Sequence, residues 1–170
     1  NRHFGRDLAI RTGFDDNPDD LVVGVRDSIQ GPGGGAEVWR FGTNPYATLM
    51  DTEIGTPSSS DPGAAVAGRL SGFFSNETAG IVAGAPFGTD AGRSRSGFVD
   101  GWGAGTYGQS ASPGSPEAND YIGSDVAIGD FAGDGIDDLL TGVSGENIGP
   151  VVDAGGAVVS YGANLPSPFD

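Results

Sequence analysis

Apolar residues occur along the whole chain in short runs of four to seven positions that are rich in valine, isoleucine and aromatic side chains. Gly, Pro, Asn, Asp and Ser separate these runs, and no stretch keeps the period of an amphipathic helix. Runs of this length between turn-forming residues are typical of β-strands. The pattern therefore predicts an all-β protein.

The runs repeat along the chain in one fixed order. The first run carries a glycine at intervals of 58 and then 60 residues, at Gly5, Gly63 and Gly123. The second run carries another at intervals of 60 and 58, at Gly24, Gly84 and Gly142. The third run ends in an aromatic residue and glycine at intervals of 61 and 59, reaching Gly42, Gly103 and Gly162. Three landmarks at nearly one period indicate three repeats.

Each repeat has room for about four antiparallel strands, because residues 43–62 and 104–122 are long enough for an outer strand and a connection. Four such strands make one blade of a β-propeller. The chain therefore predicts three blades, at about residues 4–61, 62–121 and 122–170.

The composition limits the partners. The net charge is −15, and all eight cationic residues are arginines. Such a surface repels phosphate backbones and anionic lipid, so we expect no nucleic-acid partner, and calcium is a better companion. No apolar run approaches the roughly 20 residues of a membrane-spanning helix, so we expect no membrane insertion. The absence of cysteine excludes disulfides and cysteine–histidine zinc sites.

An FG pair, a polar loop and then an apolar run with Gly-Ala-Pro make up the FG-GAP repeat of the N-terminal β-propeller of integrin α-subunits, and this chain resembles it, with a literal Phe4-Gly5 in the first repeat and a literal Gly84-Ala85-Pro86 in the second. The resemblance covers nearly the whole chain. It implies a six- or seven-bladed propeller, an extracellular location at the cell surface or in secreted form, and an acidic calcium loop between the first two strands of a blade. It also implies a role in binding protein or carbohydrate.

The segment GDFAGDGIDDLLTGV, residues 129–143, matches that loop. The family pattern Asp-x-(Asp/Asn)-x-Asp-Gly-x-x-Asp places Asp130, Asp134 and Asp138 as side-chain ligands, with the carbonyl oxygen of Ile136 beside them. Hard oxygen ligands around a tight turn at Gly135 suit Ca²⁺. The resemblance thus implies a calcium site in the third repeat.

One position departs from the pattern, because Ala132 stands where the family places a carboxylate or amide, and water would have to substitute there. An EF-hand loop would need an acidic residue at position 141, where the chain has Thr141, and a helix after it. The remaining alternative is a solvated Asp-Gly turn. The corresponding loop at Thr12 to Asp20 is incomplete, and the one at residues 69–80 has Gly80 in place of the closing aspartate, so we expect no metal in the second repeat.

Candidates for catalysis are weak. His3 has no evident nucleophile beside it, and the sequence around Ser144 lacks half of a nucleophile elbow. Trp39 and Trp102 fit blade packing better than sugar stacking. We therefore predict no catalytic residues and favour a binding or adhesion module. The alternative is a propeller that forms part of a secreted hydrolase or other enzyme.

Three blades cannot close a propeller, which needs four to eight. Only eight residues follow Gly162, and two are prolines, so the third blade is expected to lack its own full outer strand. A second copy of the chain, giving three plus three blades, is the simplest closure. A different chain, or a further segment of the same precursor, is the alternative.

Overall fold

The structure is a computed structural model that describes residues 3–11, 20–26, 35–41, 47–54, 65–68, 81–101, 105–107 and 117–162. Over these residues the chain is all-β, with antiparallel sheets and no α-helix, which confirms the predicted class. Consequently the described part offers no helix that is long and apolar enough to cross a membrane.

In the described part of the chain, eleven strands form three sheets, and in each sheet strands that follow one another in sequence are hydrogen-bonded neighbours. The first sheet contains β1 (His3–Arg11), β2 (Asp20–Arg26), β3 (Gly35–Phe41) and β4 (Ala47–Ile54). The second contains β5 (Ala65–Gly68), β6 (Ile81–Gly84), β7 (Val99–Gly101) and β8 (Gly105–Tyr107). The third contains β9 (Ile122–Gly129), β10 (Asp138–Val143) and β11 (Gly156–Ser160).

The first two strands of every sheet pair in the same register. The equivalent pairs are Ala9 with Val22, Ala67 with Val82 and Ala127 with Leu140. The first and third sheets also share an irregularity, because β1 shifts register between Phe4 and Leu8, as β9 does over the equivalent residues 122–126. The repeat seen in the sequence is therefore a repeat of backbone pairing.

The sheets lie side by side through their first strands, since β5 contacts both β1 and β9. Between the second and third sheets is a cluster of buried aliphatic residues: Val82, Val99, Ile122, Val126, Leu139 and Val143. Ile128 and Val158 pack against this cluster. Burial of this apolar surface stabilises the contact between the two sheets.

The connections that follow the second strand repeat as well. Residues 85–98 and 143–156 are offset by 58, and their backbones match at particular positions. Arg95 and Asp153 have φ angles of 56° and 51°, and Gly97 and Gly155 have φ angles of 78° and 74°. Each connection contains one two-residue antiparallel bridge, at Asp90 with Arg93 and at Ile148 with Val151. The repeat thus extends into the loops.

The predicted four strands per repeat are present in the first two sheets. The described part of the third sheet has three strands, and a fourth would fall in residues 163–170, which lie outside the described residues. The register between the second and third strands differs from sheet to sheet. The residues that pair with Gly24, Gly84 and Gly142 are Ala36, Val99 and Ala157. They precede the aromatic-glycine landmark of their repeats by six, four and five residues.

Candidate metal site in the acidic loop

The acidic loop, residues 130–137, connects β9 to β10 in the third sheet. Its first residue, Asp130, closes the turn by accepting three backbone N–H bonds. Oδ1 accepts from Gly133 at 2.6 Å and from Asp134 at 3.0 Å, and Oδ2 accepts from Gly135 at 2.9 Å. Gly133 and Gly135 have φ angles of 76° and 85°, which residues with a side chain rarely adopt. The glycines therefore permit the fold of the loop around Asp130.

Asp138 closes the loop from its other end, at the start of β10. Its carboxylate is fully buried, and Oδ2 accepts N–H bonds from Phe131 at 2.8 Å and Ala132 at 2.9 Å. Oδ1 accepts a bond of 3.0 Å from the N–H of Gly162, two residues after β11. A buried carboxylate is stable only when such charge-assisted bonds replace water. Asp138 therefore ties the loop to the third strand.

Asp134 is the exposed acid at the tip of the loop. Its Oδ1 accepts one bond of 2.9 Å, from the N–H of Ile136. A carboxylate can accept about four hydrogen bonds, so Asp134 keeps acceptor capacity that faces solvent. Ile136 is half-buried.

Two features of the loop were not predicted from sequence. Asp137 is buried at 2% exposure, although its sequence position offers no sign that distinguishes it from its neighbours. Gly162 passes so close to the loop that an added Cβ would meet the carbonyl oxygen of Asp137 and, at 2.8 Å, Cγ2 of Ile136. The aromatic-glycine landmark could have indicated this contact, since a recurring glycine often marks a close backbone approach.

The carboxylate oxygens of this loop are of the chemical type that binds calcium. In the structure they are arranged as acceptors of hydrogen bonds from backbone N–H groups. Among the described residues, no three acidic or histidine side chains come together as a group that could hold a metal ion. Asp130 and Asp138 are each directed at several loop amides, as described above. The arrangement gives a preformed, acid-rich turn in which Asp134 is exposed and accepts fewer loop N–H bonds than Asp130 or Asp138.

Comparison with protein-family models and with curated proteins finds no match to this chain. The interpretation therefore depends on the residues themselves and on the threefold repeat.

The other candidate residues are dispersed. His3 lies in β1 of the first sheet, whereas Ser144 is exposed after β10 of the third sheet. Trp39 is half-buried in β3, opposite Leu21 and Leu49, as expected for a packing residue. Trp102, most of the Thr12 to Asp20 loop and the loop at 69–80 lie outside the described residues.

Proposed function

We propose that the chain is a propeller-type module, similar to FG-GAP repeats, that binds protein or carbohydrate outside the cell. The observation that carries this proposal is the threefold repetition of one antiparallel sheet, with identical pairing of its first two strands and with first strands side by side. Propeller blades are related in this way, with their first strands lining the central axis. Loops at the ends of such blades are common sites of recognition.

We further propose that calcium binds at the acidic loop of the third repeat. Asp130, Asp134 and Asp138 would supply carboxylate oxygens and Ile136 a carbonyl oxygen, with water at the position of Ala132. The support is the oxygen chemistry of these residues and a loop that already forms the tight turn through Gly133 and Gly135. When bound, the ion would neutralise part of the charge gathered between β9 and β10.

Calcium-dependent thermal melting tests this site. For a dissociation constant of about 0.1 mM and about 1 mM free calcium, linkage gives roughly 1.4 kcal/mol, a shift of about 3–6 °C for a domain of this size. Asp134→Ala should abolish the shift, because it removes the exposed ligand. Asp16→Ala, in the incomplete loop of the first repeat, is the matched control and should retain most of it. Equal shifts in the wild type and Asp134→Ala would refute the site.

The class of ligand follows from the charge. With a net charge of −15, nucleic acid is repelled most strongly at low salt, where the repulsion is least screened. Binding should therefore be found on arrays of peptides or glycans and not on DNA or RNA. Tight, salt-sensitive nucleic-acid binding without divalent ions would contradict the proposal, and turnover on a panel of hydrolase substrates would favour an enzyme instead.

A further inference from the structure

We call the face of β1 that carries Leu8 and Ile10 its outer side. This face is apolar, and the equivalent face of another first strand is buried. Leu8 and Ile10 are 58% and 61% exposed. By register, they are equivalent to Val126 and Ile128 of β9, which pack against the second sheet, with Val126 only 8% exposed. The edge strand of the first sheet therefore presents the face that, two repeats later, contacts a preceding sheet.

The outer side of the third sheet is the complementary surface. In the second sheet, Val82 and Gly84 face β9, and an added Cβ on Gly84 would meet the backbone of Gly123. The equivalent residues of the third sheet are Leu140 and Gly142, which are only partly buried. Val159, paired with Leu140, is 36% exposed on the same side.

The connection after β10 adds an open backbone edge. In the second repeat, the carbonyl groups of Ser94, Arg95 and Ser96 accept hydrogen bonds from the N–H groups of residues 119, 121 and 122 at 2.9–3.2 Å. The equivalent carbonyls belong to residues 152–154, which are exposed, Val152 by 73%. Among the described residues, no backbone N–H donates to them. They offer a ready-made edge for an extended segment.

The charges indicate which segment fits that edge. The segment equivalent to 119–123 is residues 1–5, NRHFG, which ends in the same kind of apolar-glycine pair as Ile122-Gly123. Residues 1–11 contain three arginines and one aspartate, a formal charge of +2, whereas residues 117–162 contain seven aspartates, two glutamates and no cationic residue, a formal charge of −9. Opposite charge therefore favours contact between the two ends.

At one pair of positions, the signs of the two charges are exchanged between the second-to-third repeat contact and its proposed equivalent. Within the chain, the connection carries Arg95 and the docked segment carries Asp120. The equivalent residues in the third and first repeats are Asp153 in the connection and Arg2 in the segment. The opposite charges of Asp153 and Arg2 would favour docking of residues 1–5 beside residues 152–154.

We propose that a second copy of this chain docks its β1 onto the outer side of the third sheet and onto residues 152–154, repeating the contact between the second and third sheets. Two such head-to-tail contacts would close a ring with two-fold symmetry. This deepens the proposed function by naming a partner, and it rests on the repeated blade organisation but not on calcium or on the external ligand.

Sedimentation velocity on the intact chain tests the proposal through a charge exchange. We expect the wild type to be a dimer at micromolar concentration, and either Asp153→Arg or Arg2→Asp alone to weaken association about tenfold or more, because each change acts at both contacts of the ring. The double variant should recover most of the wild-type association, whereas an unrelated role of either residue would give additive losses. Circular dichroism checks that each variant is folded.

Two results would overturn the proposal: a folded wild type that stays monomeric up to about 100 µM, or a double variant that is no better than the single variants. Calcium-dependent melting is measured on the same samples. A monomer that still shows the calcium shift would refute the docking and leave the calcium site standing, whereas a dimer without the shift would refute only the calcium site.

Discussion

The covered side of the second sheet and the open side of the third sheet use equivalent residues in different surroundings. Val82 and Gly84 are buried against β9, whereas Leu140 and Gly142 at the same register remain partly exposed. The difference shows that burial here is a property of the neighbour and not of the strand. One sheet design can serve as core and, in the proposed dimer, also as docking surface.

The glycines make the comparison sharper. A Cβ on Gly123, whose φ is 81°, would lie 2.6 Å from the carbonyl oxygen of Phe98 and 2.9 Å from Cα of Gly84. On Gly142, a Cβ would meet the Ser124 hydroxyl at 2.9 Å, a side-chain atom that can rotate away. The contact between the second and third sheets therefore depends on the close approach of two backbones. The open side of the third sheet has no such requirement.

Gly84→Ala should have the largest effect. Its methyl group would meet backbone atoms of Gly123, which cannot move without separating the second and third sheets. We expect a loss of about 3 kcal/mol or more in the free energy of unfolding, and about 1 kcal/mol for the matched Gly142→Ala. Urea denaturation measures both. Similar losses for the two variants would erase the distinction between the covered and open sides.

Asp138→Ala should destabilise the open side selectively. The change removes the acceptor of three N–H groups, those of Phe131, Ala132 and Gly162, and we expect a loss of about 2–4 kcal/mol. Hydrogen exchange at these amides should accelerate far more than exchange at Val82 and Val99 in the covered contact. Uniform acceleration at all five amides would show that Asp138 has no local role.

Val126→Ala and Leu8→Ala compare equivalent positions on first strands. Val126 is buried in the cluster between sheets, so its truncation should cost about 2 kcal/mol of unfolding free energy. Leu8 is largely exposed in one protomer and should cost less than about 0.5 kcal/mol under conditions that keep the chain monomeric. Thermal melting at low concentration separates the two, and a large loss for Leu8→Ala would mean that another part of the chain covers it.

The repeat could be predicted from sequence because it rests on local signals. Valine-rich runs bounded by glycine define strands, and Gly24, Gly84 and Gly142 hold one position in β2, β6 and β10. The pairing of the third strands could not be predicted, because connections of different length set their register. Nor does the sequence say which face of β1 is covered, since Leu8 and Val126 satisfy the same alternation.

The acidic loop was placed correctly between the first two strands of the third repeat, and Asp130, Asp134 and Asp138 all lie in or next to it. Spacing alone could not show that Asp138 is buried and bonded to Gly162, which lies 24 residues away in sequence. A contact of that kind depends on the tertiary fold. Whether the acids bind calcium stays a prediction.

Cross-linking most directly tests the central claim that the outer side of β1 and the open side of the third sheet contact each other in a pair of chains. The chain has no cysteine, so Leu8→Cys and Leu140→Cys, equivalent to the packed residues Val126 and Val82, each introduce a single thiol. In an oxidised equimolar mixture, we predict mixed disulfides well above the share expected from random pairing, because only a head-to-tail contact brings these positions together. Disulfides within each variant alone, or no disulfide at all, would contradict the account.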